Sequence, residues 1–228
     1  MSETSSGGQS WCMLASKRLY PLIACAGIVV ALVAAVAGLT EPVLSPNPLD
    51  LTISEYAALD RTGAAGLAMT ALGIAAFAVV SGLRSVGAPV GALAGRLMLA
   101  WGAGLVVLAV LPAAFPAAGT DLVAQTYRYM TIAVLAAVPA AGGLTVARFG
   151  EDERWRPAAR PVEWLTLAGG FGLLALTYVM LPGQGVLVGL VEWTLLGVEV
   201  ALVGVLAVRL ARLTWVRGAA PASRAALG

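Results

Sequence analysis

The chain has 228 residues, 60% of them hydrophobic and only 11% charged, with no histidine and a formal net charge of +2. Soluble domains carry roughly 25% charged residues, so a protein solvated on all sides is excluded. With no histidine, and with Cys12 and Cys25 alone, ordinary zinc and haem ligation are excluded too, and no metal or cofactor is expected.

In chain order, residues 1–16 open Ser/Gly-rich and are expected to be disordered. Six apolar runs follow, at 20–39, 64–83, 97–115, 129–147, 162–181 and 186–208. Each approaches the ~20 residues that cross a hydrocarbon core of about 30 Å. A lone segment in lipid must satisfy its own backbone, so every run is predicted helical. The expected fold class is all-α: a polytopic bundle of six transmembrane helices over 17–212, followed by a loose tail at 213–228. Lys17-Arg18 before the first run imitates a signal peptide, and Ala35-Val36-Ala37 a cleavage site. That run is long for a signal, and its removal would leave an odd helix count, so it is read as helix 1.

Basic residues orient the bundle. With both termini cytoplasmic, only Arg61 and Arg128 fall outside, and the other twelve basic side chains fall inside. The expected location is the plasma membrane. The inner arginines then face anionic headgroups, and no nucleic-acid partner is needed to explain them.

The first outer loop, 40–63, begins with Pro42, Pro46 and Pro48 and should be extended there. Thr52-Ile53-Ser54-Glu55 reads as a capping box, opening a short amphipathic helix that runs through Gly63 into helix 2. Small residues four apart predict close helix approach: Ala71/Ala75 in helix 2, Ala100/Gly104 in helix 3, Ala168/Gly172 in helix 5 and Gly197/Ala201 in helix 6. Gly119-Thr120-Asp121 signals the start of helix 4, and Pro139 within it predicts a kink. The inner passage 148–161 is the most charged, and Pro182-Gly183-Gln184-Gly185 makes a tight outer turn. Tyr56, Tyr127, Tyr129 and Trp193 read as an outer aromatic belt, with Tyr20, Trp155, Trp164 and Trp215 as the inner one.

Candidate functional residues are few. Glu192 and Glu199 are the acids well inside a span, seven residues apart and so on one face of helix 6. An acid at depth costs at least ~2.5–3.5 kcal/mol on insertion scales, and it turns toward the bundle interior and a partner. Each has a functional reading as a proton-linked or ligand-binding group and a structural one as a lock between helices, favoured for Glu199. Arg128 is the expected cationic partner of Glu192 or Asp121. Thr52, Ser54, Glu55 and Asp121 complete the outer polar set, although capping alone accounts for Glu55 and Asp121. No HExxH, GxSxG or Walker pattern occurs. There is also no sign of matching broken helices in the two halves, as inverted-repeat transporters have.

Several short motifs resemble a known family. They are Thr52 to Ala57 (TISEYA), Tyr127-Arg128-Tyr129 running on to Val138 to Gly142, and Gly189-Leu190-Val191-Glu192. Together they are similar to bacterial six-span membrane proteins catalogued as domain of unknown function 998. Members often carry a histidine before the Arg-Tyr and an arginine after the helix 6 glutamate, where this chain has Tyr127 and Trp193. The resemblance implies an integral membrane protein and leaves its activity open.

Three functions fit these residues. The leading one is a non-catalytic module that binds a lipid or small amphiphile at the outer polar face, through Thr52, Ser54, Glu55, Arg128 and Glu192. The second is a proton-coupled transporter using Glu192 and Glu199. The third, a lipid-modifying enzyme, would need two of these carboxyls converging on one pocket.

Overall fold

A computed structural model describes residues 6–39, 53, 63–114, 121–180 and 187–224. Six helices make up the described chain: α1 Ser6–Leu39, α2 Ala64–Ser85, α3 Ala92–Ala114, α4 Asp121–Glu151, α5 Arg156–Val179 and α6 Val188–Arg224. Each contains a stretch long and apolar enough to cross a membrane, from Leu19–Gly38 in α1 to Val188–Trp215 in α6. The described residues contain no strand. This is the all-α six-span bundle that the apolar runs predict.

Consecutive helices pack side by side, and α6 closes the set against α1 while also touching α2 and α4. The helix that carries both intramembrane glutamates is therefore a central one, and this packing buries them. α5 is peripheral: Trp164, Phe171, Leu174 and Tyr178 are all mostly exposed, as a lipid-facing stripe requires.

Glycine sets the closest approaches. A Cβ on Gly73 would fall 2.7 Å from the Gly102 carbonyl oxygen, and one on Gly27 would fall 2.9 Å from that of Ala71. Bare glycine thus brings α2 against α3 and α1 against α2. Gly104 and Gly172 likewise face Val134 and Leu195. Gly197 differs from the expected pattern: a Cβ there would meet nothing within 4 Å. Its missing side chain leaves space open.

Element ends depart from the sequence expectation in several places. α1 begins at Ser6 and α6 runs to Arg224, beyond the predicted edges at 17 and 212. Once an apolar span has nucleated a helix, neighbours such as Trp11 to Lys17 extend it cheaply. Gly63 is outside the helix expected to run through it, taking φ 76° as the N-cap of α2, and, Ile53 aside, the residues expected to form the short helix before it lie outside the described ones. α2 ends in a Schellman turn, with the Ala88 N–H donating to the Leu83 carbonyl at 2.9 Å and Gly87 at φ 64°. The charged passage 148–161 shrinks to a turn at 152–155, because Pro157 suits the first turn of α5, where no N–H is needed. Within it Trp155 is buried and stacks on Phe149 at 5.1 Å, so Trp155 is a core wedge and not a belt residue. Arg154 pairs with Asp152 at 3.3 Å, and Arg209 of α6 donates to the Arg154 carbonyl.

Candidate functional site

Among the described residues the buried acids, Glu192 and Glu199, both belong to α6. Glu192 is buried, and its Oε2 accepts the backbone N–H of Ile53 at 2.9 Å. The bond joins residues 139 apart in sequence, and Ile53 is itself helical and buried. TISEYA and the helix 6 glutamate, two of the motifs behind the family resemblance, thus meet at one point.

Tyr127 of α4 belongs to this layer. It is buried at 9% exposure, it is an electrostatic neighbour of Glu192, and its hydroxyl has no hydrogen-bond partner among the described residues. The aromatic-belt expectation fails for Tyr127, because the turn of α4 points it inward. Tyr129, two positions on, is exposed as a belt residue should be. Arg128, between them, is exposed, and among the described residues the only ion pair is Arg154 with Asp152. The expected pairing of Arg128 with Glu192 is therefore absent; the same helical rotation that buries Tyr127 carries Arg128 outward.

Two helical turns deeper, Glu199 is fully buried. Its Oε2 accepts the Trp101 indole N–H of α3 at 3.0 Å, and its Oε1 has no partner among the described residues. Sequence reading missed Trp101 altogether. The signal was there: an indole N–H in mid-span needs an acceptor, and few spans offer one. Glu192 and Glu199 each serve a separate donor, roughly 10 Å apart along the helix at 1.5 Å per residue. Thr52, Ser54 and Glu55 lie outside the described residues, as does the side chain of Asp121, although Asp121 does begin α4.

Next to the Ile53–Glu192 bond lies a cavity of about 260 Å³. Its walls come from Ala31 to Val36 of α1, Ala65 to Leu72 of α2, Leu105 and Leu108 of α3, Thr131 to Leu135 of α4 and Trp193 to Val200 of α6. Ile53 lines it as well. Gly197 is in the wall, which explains the empty space where its side chain would be. Among the described lining residues Thr131 carries the one hydroxyl, and it donates to the Tyr127 carbonyl at 3.0 Å.

Fold and interior together define a multi-pass helical membrane protein with a polar latch at one end of an apolar chamber. Residues 24–209 match the family described as "Protein of unknown function (DUF998)". The match covers most of the chain, and the protein belongs to that family. No curated protein and no solved structure matches it.

Proposed function

We propose that the protein binds a lipid or small amphiphile from the plasma membrane at its outer end, the end that carries Ile53, Tyr127 and Glu192. The observation that carries the reading is the apolar cavity of about 260 Å³ beside a buried polar layer. An amphiphile needs that combination, walls without free polar groups and a few placed polar atoms at one end. The twelve-to-two distribution of basic residues supports both termini being cytoplasmic and this end being external.

The test is gentle native mass spectrometry of the purified protein beside Gly197→Leu, Glu192→Gln and Arg128→Ala. The expected result is a bound species that Gly197→Leu displaces by filling the cavity from its wall. Arg128→Ala should keep it, because Arg128 faces away from the buried layer. No bound species in any sample, with Glu192→Gln merely less stable, would mean that the polar layer only holds helices together.

A second reading, a proton-coupled transporter, is favoured by one observation: Glu199 is wholly buried and one of its oxygens has no partner among the described residues. Intramembrane carboxyls of this kind mark proton relays. Glu199→Gln separates the two. A transporter would lose its proton coupling, whereas the amphiphile site, whose polar end at Glu192 is two turns away and whose described lining leaves Glu199 out, would keep its ligand.

A further inference from the structure

We propose that the cavity opens sideways into the bilayer, between α1 and α6, and takes up one acyl chain of a lipid from the leaflet on the Ile53 side. This rests on the amphiphile-binding reading and adds where the ligand comes from and which part of it is held.

The opening follows from burial. On α2 and α3 the walls are closed, with Ala65, Met69, Leu72, Leu105 and Leu108 all buried. Among the described lining residues the exposed ones come from α1 and α6 alone: Leu32 at 52%, Val36 at 61%, and Gly197. A Cβ on Gly197 would meet nothing within 4 Å, so α6 offers bare backbone at this point. At the other end of the bundle the same two helices draw together, since a Cβ on Gly82 of α2 would meet both Tyr20 of α1 and Leu210 of α6. Leu32 lies roughly 18 Å along α1 from Tyr20, and Gly197 roughly 20 Å along α6 from Leu210, at 1.5 Å per residue. The exposed lining residues of the two helices thus sit at one depth, where α1 and α6 part.

The occupant follows from that depth. Leu32 and Gly197 both lie within membrane-crossing stretches, Leu19–Gly38 and Val188–Trp215. Gly197 is roughly 14 Å in from Val188 at 1.5 Å per residue, close to the middle of a hydrocarbon core of about 30 Å. A gap there faces acyl chains, and neither water nor headgroups reach it. The rim at Leu32, Val36 and Val200 offers only carbon, and the hydroxyl of Thr131 inside is already spent on the Tyr127 carbonyl. A volume of about 260 Å³ falls at the low edge of ligand pockets, which run from roughly 300 to 1,000 Å³, so it suits one chain and not a whole two-chain lipid. The wall on α2, from Ala65 to Leu72, is roughly 10 Å long, about a third of the core, which keeps the chain within one leaflet.

The test places the protein in phosphatidylcholine nanodiscs doped with phosphatidylcholine or phosphatidylglycerol that carries a diazirine midway along one acyl chain. Crosslinks are mapped by peptide mass spectrometry. The wild type should be labelled at Met69, Leu72 and Leu105, buried wall residues that the surrounding bilayer does not touch, as well as at lipid-facing Phe171 and Leu174. Val36→Trp and Leu32→Trp, each narrowing the opening from its rim, should lose the interior labels and keep those on Phe171 and Leu174, which report an intact bundle. Val33→Trp, at a neighbouring position 63% exposed but outside the described lining, should keep both sets. Interior labels that persist undiminished in Val36→Trp and Leu32→Trp would overturn the sideways route and leave amphiphile binding standing. Labels from both probes confined to Phe171 and Leu174 in the wild type would overturn both.

Discussion

The bond between Trp101 and Glu199 is the sharpest point at which this interior can be tested. Both side chains are fully buried, and the indole N–H is the only donor to the carboxyl among the described residues, because Oε1 has none. Trp101→Phe removes that donor while keeping an aromatic ring. Water cannot replace it in a site of zero exposure, so the cost is that of an unsatisfied buried acceptor, about 1–3 kcal/mol, plus lost indole packing. Glu199→Leu makes the converse fault by orphaning the indole N–H. Removing both partners leaves no orphan, so the double variant should be more stable than the sum of the single losses predicts. Membrane hydrogen bonds measured this way average ~0.6 and reach ~1.7 kcal/mol. A buried pair with one donor for two oxygens belongs at the upper end, and a coupling of about 1–2 kcal/mol is expected. Reversible unfolding in mixed micelles, titrated with a denaturing detergent and followed by circular dichroism, reads all four corners of the cycle. Glu199→Gln, whose amide oxygen still accepts from the indole, should cost less than Glu199→Leu. Additivity within about 0.5 kcal/mol would refute the reasoning, since uncoupled sites behave that way.

Further outcomes follow from the geometry. Gly73→Ala places a methyl 2.6 Å from the Val106 side chain and 2.7 Å from the Gly102 carbonyl oxygen. It should destabilise by about 1–3 kcal/mol despite the better helix former. Gly197→Ala meets nothing within 4 Å and should stabilise by about 0.5–1 kcal/mol; the same unfolding assay reads both. At the turn between α4 and α5, hydrogen bonding from Arg154 holds the Asp152 carboxyl below the ordinary aspartate range. A carboxyl whose folded value is depressed supports the fold above its unfolded value, and that support fades as pH falls through the lowered one. An NMR titration of Asp152 should show the low midpoint, and Arg154→Ala should raise it toward the ordinary range while the backbone N–H of residue 154 keeps part of the depression.

Some of this interior was legible in one dimension. Glu192 and Glu199 stand out because charge is rare in an apolar run, and their spacing of seven puts them on one helical face wherever the helix packs. Arg128 shows the limit. It lies next to Tyr127, and a list of charges makes it the natural partner of an acid. The choice between Tyr127 inward and Arg128 inward is a rotation of α4 about its axis, and α4 has apolar residues on every side to pack with. Trp155 was misjudged for the same reason, because tryptophan suits a membrane interface and a buried turn equally well.

Composition and run length alone determined that six helices cross a membrane, because a bilayer demands ~20 apolar residues and internal backbone pairing whatever the neighbours are. Which donor each acid meets was decided only by the tertiary structure. Glu192 bonds a backbone N–H 139 residues away and Glu199 an indole 98 residues away. Such pairs depend on which helices adjoin, how deep each sits and how each is rotated, and glycine contacts such as Gly73 against Gly102 set those quantities. The cavity beside Ile53 is likewise a property of five helices at once. No single one of them encodes it.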